Sequence, residues 1–364
     1  MLGNRFTAAI PSSDNPFEML LGLFKEVIVH TSGDLEEAIE WLKQLDEHYQ
    51  ITSNDYTFDD FIQDLKDKGY IKDDTTGKGH LGLTSKAEGA IRKAAMDQLF
   101  GTLKKGKNGN HNTQRMGGKG DSSGDYRSYQ FGDTLDKVAM TESLKNGLIS
   151  GGIDEFRLTP RDLVVEQQQQ TASLATVLMI DISHSMILYG EDRITPAKMV
   201  AMALAEWITT KYPKDTLDII VYGNDSWPIK IKDLPYLQVG PYHTNFVAGL
   251  ELAMGLLKRR KSSNKQIFNI TDGKPSCLIE PDGNYYKNSF GLDPYITGKC
   301  LEMAAKTKKA HIPVNTFMIA KDAYLQHFIR SFSEINGGNA YYTGLNKLGE
   351  LIFNDYLQQK NKRP

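Results

Sequence analysis

Residues 177–186 read Val177-Leu178-Met179-Ile180-Asp181-Ile182-Ser183-His184-Ser185-Met186. The apolar run of 177–180 halts at Asp181, and two serines follow at alternate positions. An apolar run this short and continuous is the pattern of a strand buried on both faces, as in a parallel sheet with helices on either side. The carboxylate and hydroxyls that end it suit three roles: helix cap, catalytic group, or ligand for a hard cation.

The segment downstream repeats the alternation. ITPAKMVAMALAEWITTKY has helical spacing, TLDIIVYG is strand-like with a hairpin partner in WPIKI, and NFVAGLELAMGLLKRRK is helical. In that last piece Phe246, Leu250, Ala253 and Leu257 line one face, and basic residues close the C-terminal end. KQIFNITDG, VNTFMIA and AYYTG read as strands, separated by helices, one of which stops at Gly337. Strands alternating with helices over 171–364 predict an α/β domain with a doubly wound, mainly parallel sheet.

Function in such a sheet gathers beyond the C-terminal strand ends. Three loops there carry unusual polar residues: Asp181, Ser183 and Ser185 in the first, Thr244 before the long helix, and Asp272 in NITDGKPS. Hydroxyl oxygens at Ser183, Ser185 and Thr244, with carboxylates at Asp181 and Asp272, suit Mg²⁺, which prefers near-octahedral oxygen ligands and keeps water in its shell. With only two carboxylates the bound dication would stay electrophilic and accept a Glu or Asp from a partner.

These motifs carry a resemblance. DISHS, the Thr244 loop and the TDG run resemble, in order and spacing, the metal-ion-dependent adhesion site of von Willebrand factor type A domains. RITPAKMVAMALAEWI, KYPKDTLDIIVYG and ITDGKPS are similar to bacterial CoxE-like proteins and to the D subunit of magnesium chelatase. The resemblance implies that Ser183, Ser185 and Thr244 ligate Mg²⁺ (or Mn²⁺) directly, with Asp181 and Asp272 in support. It implies a protein-binding role without enzymatic activity, in protein-complex remodelling or metal-cofactor insertion beside a MoxR-type AAA+ ATPase. One departure from the pattern is the long loop CLIEPDGNYYKNSFGLDPY, which either rims the site or is a surface excursion.

The enzymatic alternative is a Mg²⁺-dependent phosphotransfer hydrolase of haloacid-dehalogenase type, with Asp181 as nucleophile and Asp272 on the metal. It needs an acid two residues after the nucleophile, where this chain has Ser183. His184 beside Ser185 lacks a GxSxG elbow, and His184, His243 and Lys274 read as loop residues.

The N-terminal portion, 1–105, reads as a mostly helical domain. Phe17, Leu20, Leu21, Phe24 and Ile28 form one stripe, and Phe58, Phe61, Ile62 and Leu65 another. Tyr70-Ile71, a turn at Gly77–Gly79 and a helix capped at Thr84 or Ser85 give the order of a winged-helix wing. Nucleic-acid contact through Arg92, Lys93, Lys104 and Lys105 is weighed against a solvated basic face, and the solvated face is the commoner case. Residues 106–170, rich in Gly and poor in apolar residues at their start, read as a flexible linker and connecting segment. GDSSG at 120–124 has no protease context, and the nearby glycines follow no strand.

Composition excludes little. A net charge of −2, 40% hydrophobic and 24% charged residues describe an ordinary globular protein without general pull toward nucleic acid or membrane. Two cysteines give no disulfide framework. No window approaches a membrane span, and the N-terminus lacks a signal-peptide pattern, so a cytoplasmic location is expected.

Overall fold

The computed structural model describes residues 15–53, 55–73, 81–100, 122–133, 138–152, 156–168, 173–190, 192–319, 322–342 and 348–361. In chain order it begins with helices α1 (Pro16–His30), α2 (Leu35–Tyr49) and α3 (Phe58–Asp67), strands β1 (Ile71–Asp73) and β2 (Leu81–Leu83), and helix α4 (Ser85–Phe100). Strand β3 (Ser122–Ser128), helix α5 (Met140–Gly151) and strand β4 (Val164–Gln168) come next. The α/β portion comprises β5 (Leu174–Asp181), α6 (Ile194–Lys211), β6 (Thr216–Tyr222), β7 (Ser226–Ile229), α7 (Phe246–Arg259) and β8 (Asn264–Thr271). It continues with β9 (Cys277–Ile279), β10 (Tyr285–Lys287), α8 (Pro294–Lys309), β11 (Val314–Met318), α9 (Ala323–Asn336), β12 (Ala340–Tyr342) and α10 (Leu348–Asn361).

Local chemistry explains the boundaries. Asn15 caps α1 by accepting from Phe17 N at 3.0 Å, and Pro16 takes the first turn, where its missing N–H costs nothing. Thr57 and Asp60 form a reciprocal capping box on α3. Thr84, expected as a cap, accepts from Ala87 N at 3.3 Å. Gly337, in the left-handed region at φ 85°, ends α9 where the sequence places the stop.

The sheet order is β12-β11-β8-β5-β6-β7, parallel except for β7, which pairs antiparallel with β6. The doubly wound, mainly parallel sheet read from the sequence is therefore present, with a mostly helical N-terminal portion. Alternation along β5 feeds two cores. Leu178 and Ile180 face the side covered by α6, α10 and the N-terminal helices, while Val177 and Met179 face α7, α8 and α9.

The N-terminal helices share one core with the sheet, whereas the sequence suggests a domain tethered by a linker. Met1–Lys107 and Ser173–Lys360 group into one compact unit. Helix α4 packs along α6, where the small residues Ala87 and Ala95 meet a helix whose Ala197, Ala201 and Ala205 are all buried. Arg92, one of the residues weighed for nucleic acid, pairs with Glu206 of α6 at 3.3 Å. Lys104 and Lys105, like the turn at Gly77–Gly79, lie outside the described residues. The apolar stripes legible in 16–67 are complete faces, but sequence periodicity cannot say whether they cover each other or a neighbouring sheet.

A second unit falls within Asn108–Ala172, across the segment expected to be a linker. There β3 and β4 pair antiparallel, Arg127 makes a two-pronged contact with Asp133, and Asp162 accepts from Thr159 and Ser150. The low apolar content of 106–120 underlies the linker expectation; those residues lie outside the described ones, and the described elements of this unit begin at Ser122.

Lys198 of α6 is completely buried and donates to Val29 O at 2.7 Å and Ser32 Oγ at 3.0 Å, tying α6 to the end of α1. Burial pushes its ammonium down to about 8, against a smaller opposing pull from Asp192. Between that value and its ordinary one the unfolded chain binds more protons, so raising the pH stabilises the folded state there. The stability of the wild type relative to Lys198→Met is expected to rise by about 3 kcal/mol between pH 7.5 and 10.5. Urea unfolding of both proteins at each pH checks it. A pH-independent difference would mean that the buried ammonium keeps its ordinary pKa in the folded protein.

Candidate metal centre

Strands β5 and β8 are neighbours, so their ends bring Asp181 beside Asp272. The next loops follow at once. Ser183 N donates to Asp181 Oδ1 at 2.9 Å, turning the chain so that Ser183 and Ser185 lie on the same side with their Oγ atoms 3.0 Å apart. Thr244, just ahead of α7, joins the same edge because His184 N donates to Tyr242 O and Asn245 N donates to Gly223 O. Its own N–H donates to Ser276 Oγ at 3.0 Å, and its carbonyl accepts from Ser276 N and Cys277 N. The backbone of Thr244 is thus fixed, while its hydroxyl has no hydrogen-bond partner among the described residues.

All five residues expected from the sequence lie at this edge. Asp181, Ser183, Thr244 and Asp272 are buried, and Ser185 is half-buried. Burial, then the neighbouring Asp272 carboxylate, raises the Asp181 carboxyl well above the usual carboxylate range, while hydrogen bonds from Ser183 and Thr271 pull it down. Two carboxylates converge in a buried place, an arrangement that costs free energy unless a cation joins them.

Three participants escaped the sequence reading. Thr271 Oγ1 donates to Asp181 Oδ2 at 2.7 Å and accepts from Gly273 N at 3.0 Å, holding the outer carboxylate oxygen in place. Arg193, almost fully buried, sets Nη1 3.8 Å from Asp272 Oδ2 and partly offsets its charge. Ser276 aligns Thr244. Thr271 had a signal, as the residue before Asp272 in the TDG run, whereas Arg193 and Ser276 reach the site only through the fold. His184 is exposed, as a loop residue should be. His243 is pushed below its ordinary value by partial burial, then by the Lys287 and Lys274 charges.

The donor set fits a small hard cation. Neighbouring ligands of an octahedral Mg²⁺ at its usual bond length are separated by about 2.9 Å, close to the serine spacing seen here. Among the described residues no cluster of three or more His, Cys, Asp or Glu side chains forms, so zinc-type ligation has no candidate there. The cysteines Cys277 and Cys300 are buried free thiols. No described helix is long and apolar enough to cross a membrane.

Comparisons with known proteins agree with this architecture. A family model described as "Rv0959-like protein, vWA domain" matches residues 174–357, and one described as "Rv0959-like protein, third domain" matches 121–168. The Mycobacterium tuberculosis protein "Uncharacterized protein Rv0959" is 26% identical over 96% of this chain and 54% of its own length. "Uncharacterized protein Mb0984" of Mycobacterium bovis matches with the same identity and coverage. The chain spans about half the length of the curated relatives it matches. Solved structures similar to it include the vWF domain of the type V pili tip protein Mfa5 from Porphyromonas gingivalis, with 11% identity and a TM-score of 0.43 over 53% of this chain and 98% of that one. The SpRpn10 VWA domain aligns at 18% identity with a TM-score of 0.37, over 50% of this chain and 94% of that one.

Proposed function

The chain belongs to the Rv0959-like vWA family, and from that premise we propose that it is a non-enzymatic, Mg²⁺-dependent protein-binding subunit. Mn²⁺ would fit the same donors. One observation supports this above the others: two buried carboxylates and three hydroxyl residues gather beyond the ends of β5 and β8, with Ser183 and Ser185 Oγ in hydrogen-bond contact at 3.0 Å.

Ser183, Ser185 and Thr244 would hold the cation, and Asp181 and Asp272 would accept hydrogen bonds from its water or ligate it. When bound, the cation supplies an electrophilic position for a carboxylate offered by a partner protein. The chain's own residues do the positioning: Thr271 and Ser183 N fix Asp181, Ser276 fixes Thr244, and Arg193 restrains Asp272. The phosphotransfer alternative lacks its acid: the residue two positions after Asp181 is Ser183, whose hydroxyl cannot protonate a leaving group near neutral pH.

The resemblance to CoxE-like proteins and the magnesium-chelatase D subunit extends the proposal to a cytoplasmic role beside a MoxR-type AAA+ ATPase. The purified chain should retain such an ATPase or its client from a lysate in Mg²⁺ and release it in EDTA. The same proteins retained under both conditions would count against the metal site as the contact.

A further inference from the structure

After Asp272 the chain leaves the sheet and folds back as the β9–β10 hairpin, fastened to the metal-site residues at several points. Its base is the Ser276–Cys277 contact with the Thr244 carbonyl. The returning strand is held where Asn288 N donates to Ser276 O and where Lys274 Nζ donates to Ser289 O at 2.7 Å. Antiparallel register sets Ile279 opposite Tyr285 and Cys277 opposite Lys287, so these four share one face. Cys277 is buried at its foot, while Ile279 and Tyr285 remain 47% and 43% exposed. Tyr285 is nevertheless fixed: its hydroxyl donates to Asp225, and the Lys287 ammonium lies 5.1 Å from its ring centroid.

The face therefore combines ordered apolar area with cationic charge, next to Thr244. Ser276, at the base of the hairpin, accepts from Thr244 N at 3.0 Å and lies 3.5 Å from His243 Nδ1. An exposed tyrosine–isoleucine pair held in one orientation is a surface suited to a partner side chain. Asp225 and Glu280 flank the hairpin, which keeps the basic patch too small for a nucleic-acid backbone.

We propose that this hairpin is the specificity element of the metal site, reading an acidic protein segment. One carboxylate of that segment meets the cation, a second meets Lys287, and an adjoining apolar side chain lies on Ile279 and Tyr285. The inference rests on the metal-dependent reading above.

A random seven-residue peptide library displayed on phage, panned on the immobilised full chain with and without Mg²⁺, tests both separately. Peptides enriched only with Mg²⁺ are expected to carry two acidic residues and an apolar one close together. Lys287→Glu should lower affinity for a selected peptide about 10-fold, read by fluorescence anisotropy, whereas Asp181→Asn removes the Mg²⁺-dependent binding. Enriched peptides sharing one acid with arbitrary flanks, or unchanged affinity in Lys287→Glu, would overturn the hairpin assignment and leave the metal reading standing. Absence of Mg²⁺-dependent enrichment would overturn both, and enhanced binding of single-stranded DNA to the same face would overturn the choice of a protein partner.

Discussion

Asp181→Asn is expected to weaken Mg²⁺ binding about 10- to 100-fold while leaving the metal-free protein at least as stable as wild type. The two halves of this result have different causes. Metal affinity depends on negative charge, and the substitution removes one of the two carboxylates that converge on the site. Stability without metal depends on what the same charge costs. Asp181 is completely buried, and Asp272 repels it. The amide can keep Oδ1 accepting from Ser183 N and can donate from Nδ2 to Thr271 Oγ1, so the loop retains its turn. Removing a buried charge with its hydrogen bonds still satisfied is neutral or stabilising. Calorimetric titration with Mg²⁺ and thermal unfolding in EDTA measure the two effects separately. Unchanged affinity would remove Asp181 from the metal centre, and a markedly lower midpoint in EDTA would make it a structural carboxylate.

The same residue shows why so much of this site was legible. A strand that must be apolar on both faces leaves its first polar residue at the sheet edge, so Asp181 declared both an element boundary and a chemical group. Asp272 directly follows the last residue of β8, and Thr244 lies two residues before a long amphipathic helix. Each is a local event in the chain. Arg193 and Ser276 are not: one follows a turn after the serines, the other opens a hairpin, and only the adjacency of β5 and β8 brings them to the metal residues. The docking of α4 on α6 was hidden for a related reason. Alanines at 87, 95, 197, 201 and 205 read as helix formers, and their second meaning, close approach of two backbones, depends on a neighbour that periodicity does not identify. The segment after 120 carries its order in polar pairs such as Arg127–Asp133 and Asp162–Thr159, which an apolar count passes over.

Gly338→Ala should have the largest effect on stability, at a distance from the metal residues. A Cβ at this position would lie 2.1 Å from Val314 O and 2.6 Å from Val314 C, both backbone atoms of the sheet. A side chain could swing aside, but a strand carbonyl cannot. Val314 N accepts no such freedom either, since it donates to Asn336 Oδ1, and Asn336 in turn donates to Thr307 Oγ1 and Ile312 O. Relief would require moving β12 off β11, whose register runs Thr316–Ala340 to Met318–Tyr342. Overpacking against fixed backbone costs about 3 kcal/mol, a fall of roughly 4 °C in melting temperature for a protein of this size. Strand β11 also borders β8, whose end holds Thr271 and Asp272, so the variant should lose Mg²⁺ binding in step with unfolding and keep near-normal affinity at temperatures where it remains folded. Asp181→Asn, by contrast, is expected to show lowered affinity at every temperature. A Gly338→Ala protein that melts like wild type would mean the α9–β12 connection yields without disturbing the strand pair. One that is folded yet cannot bind Mg²⁺ would mean the sheet edge and the metal residues are coupled more tightly than their shared strands require.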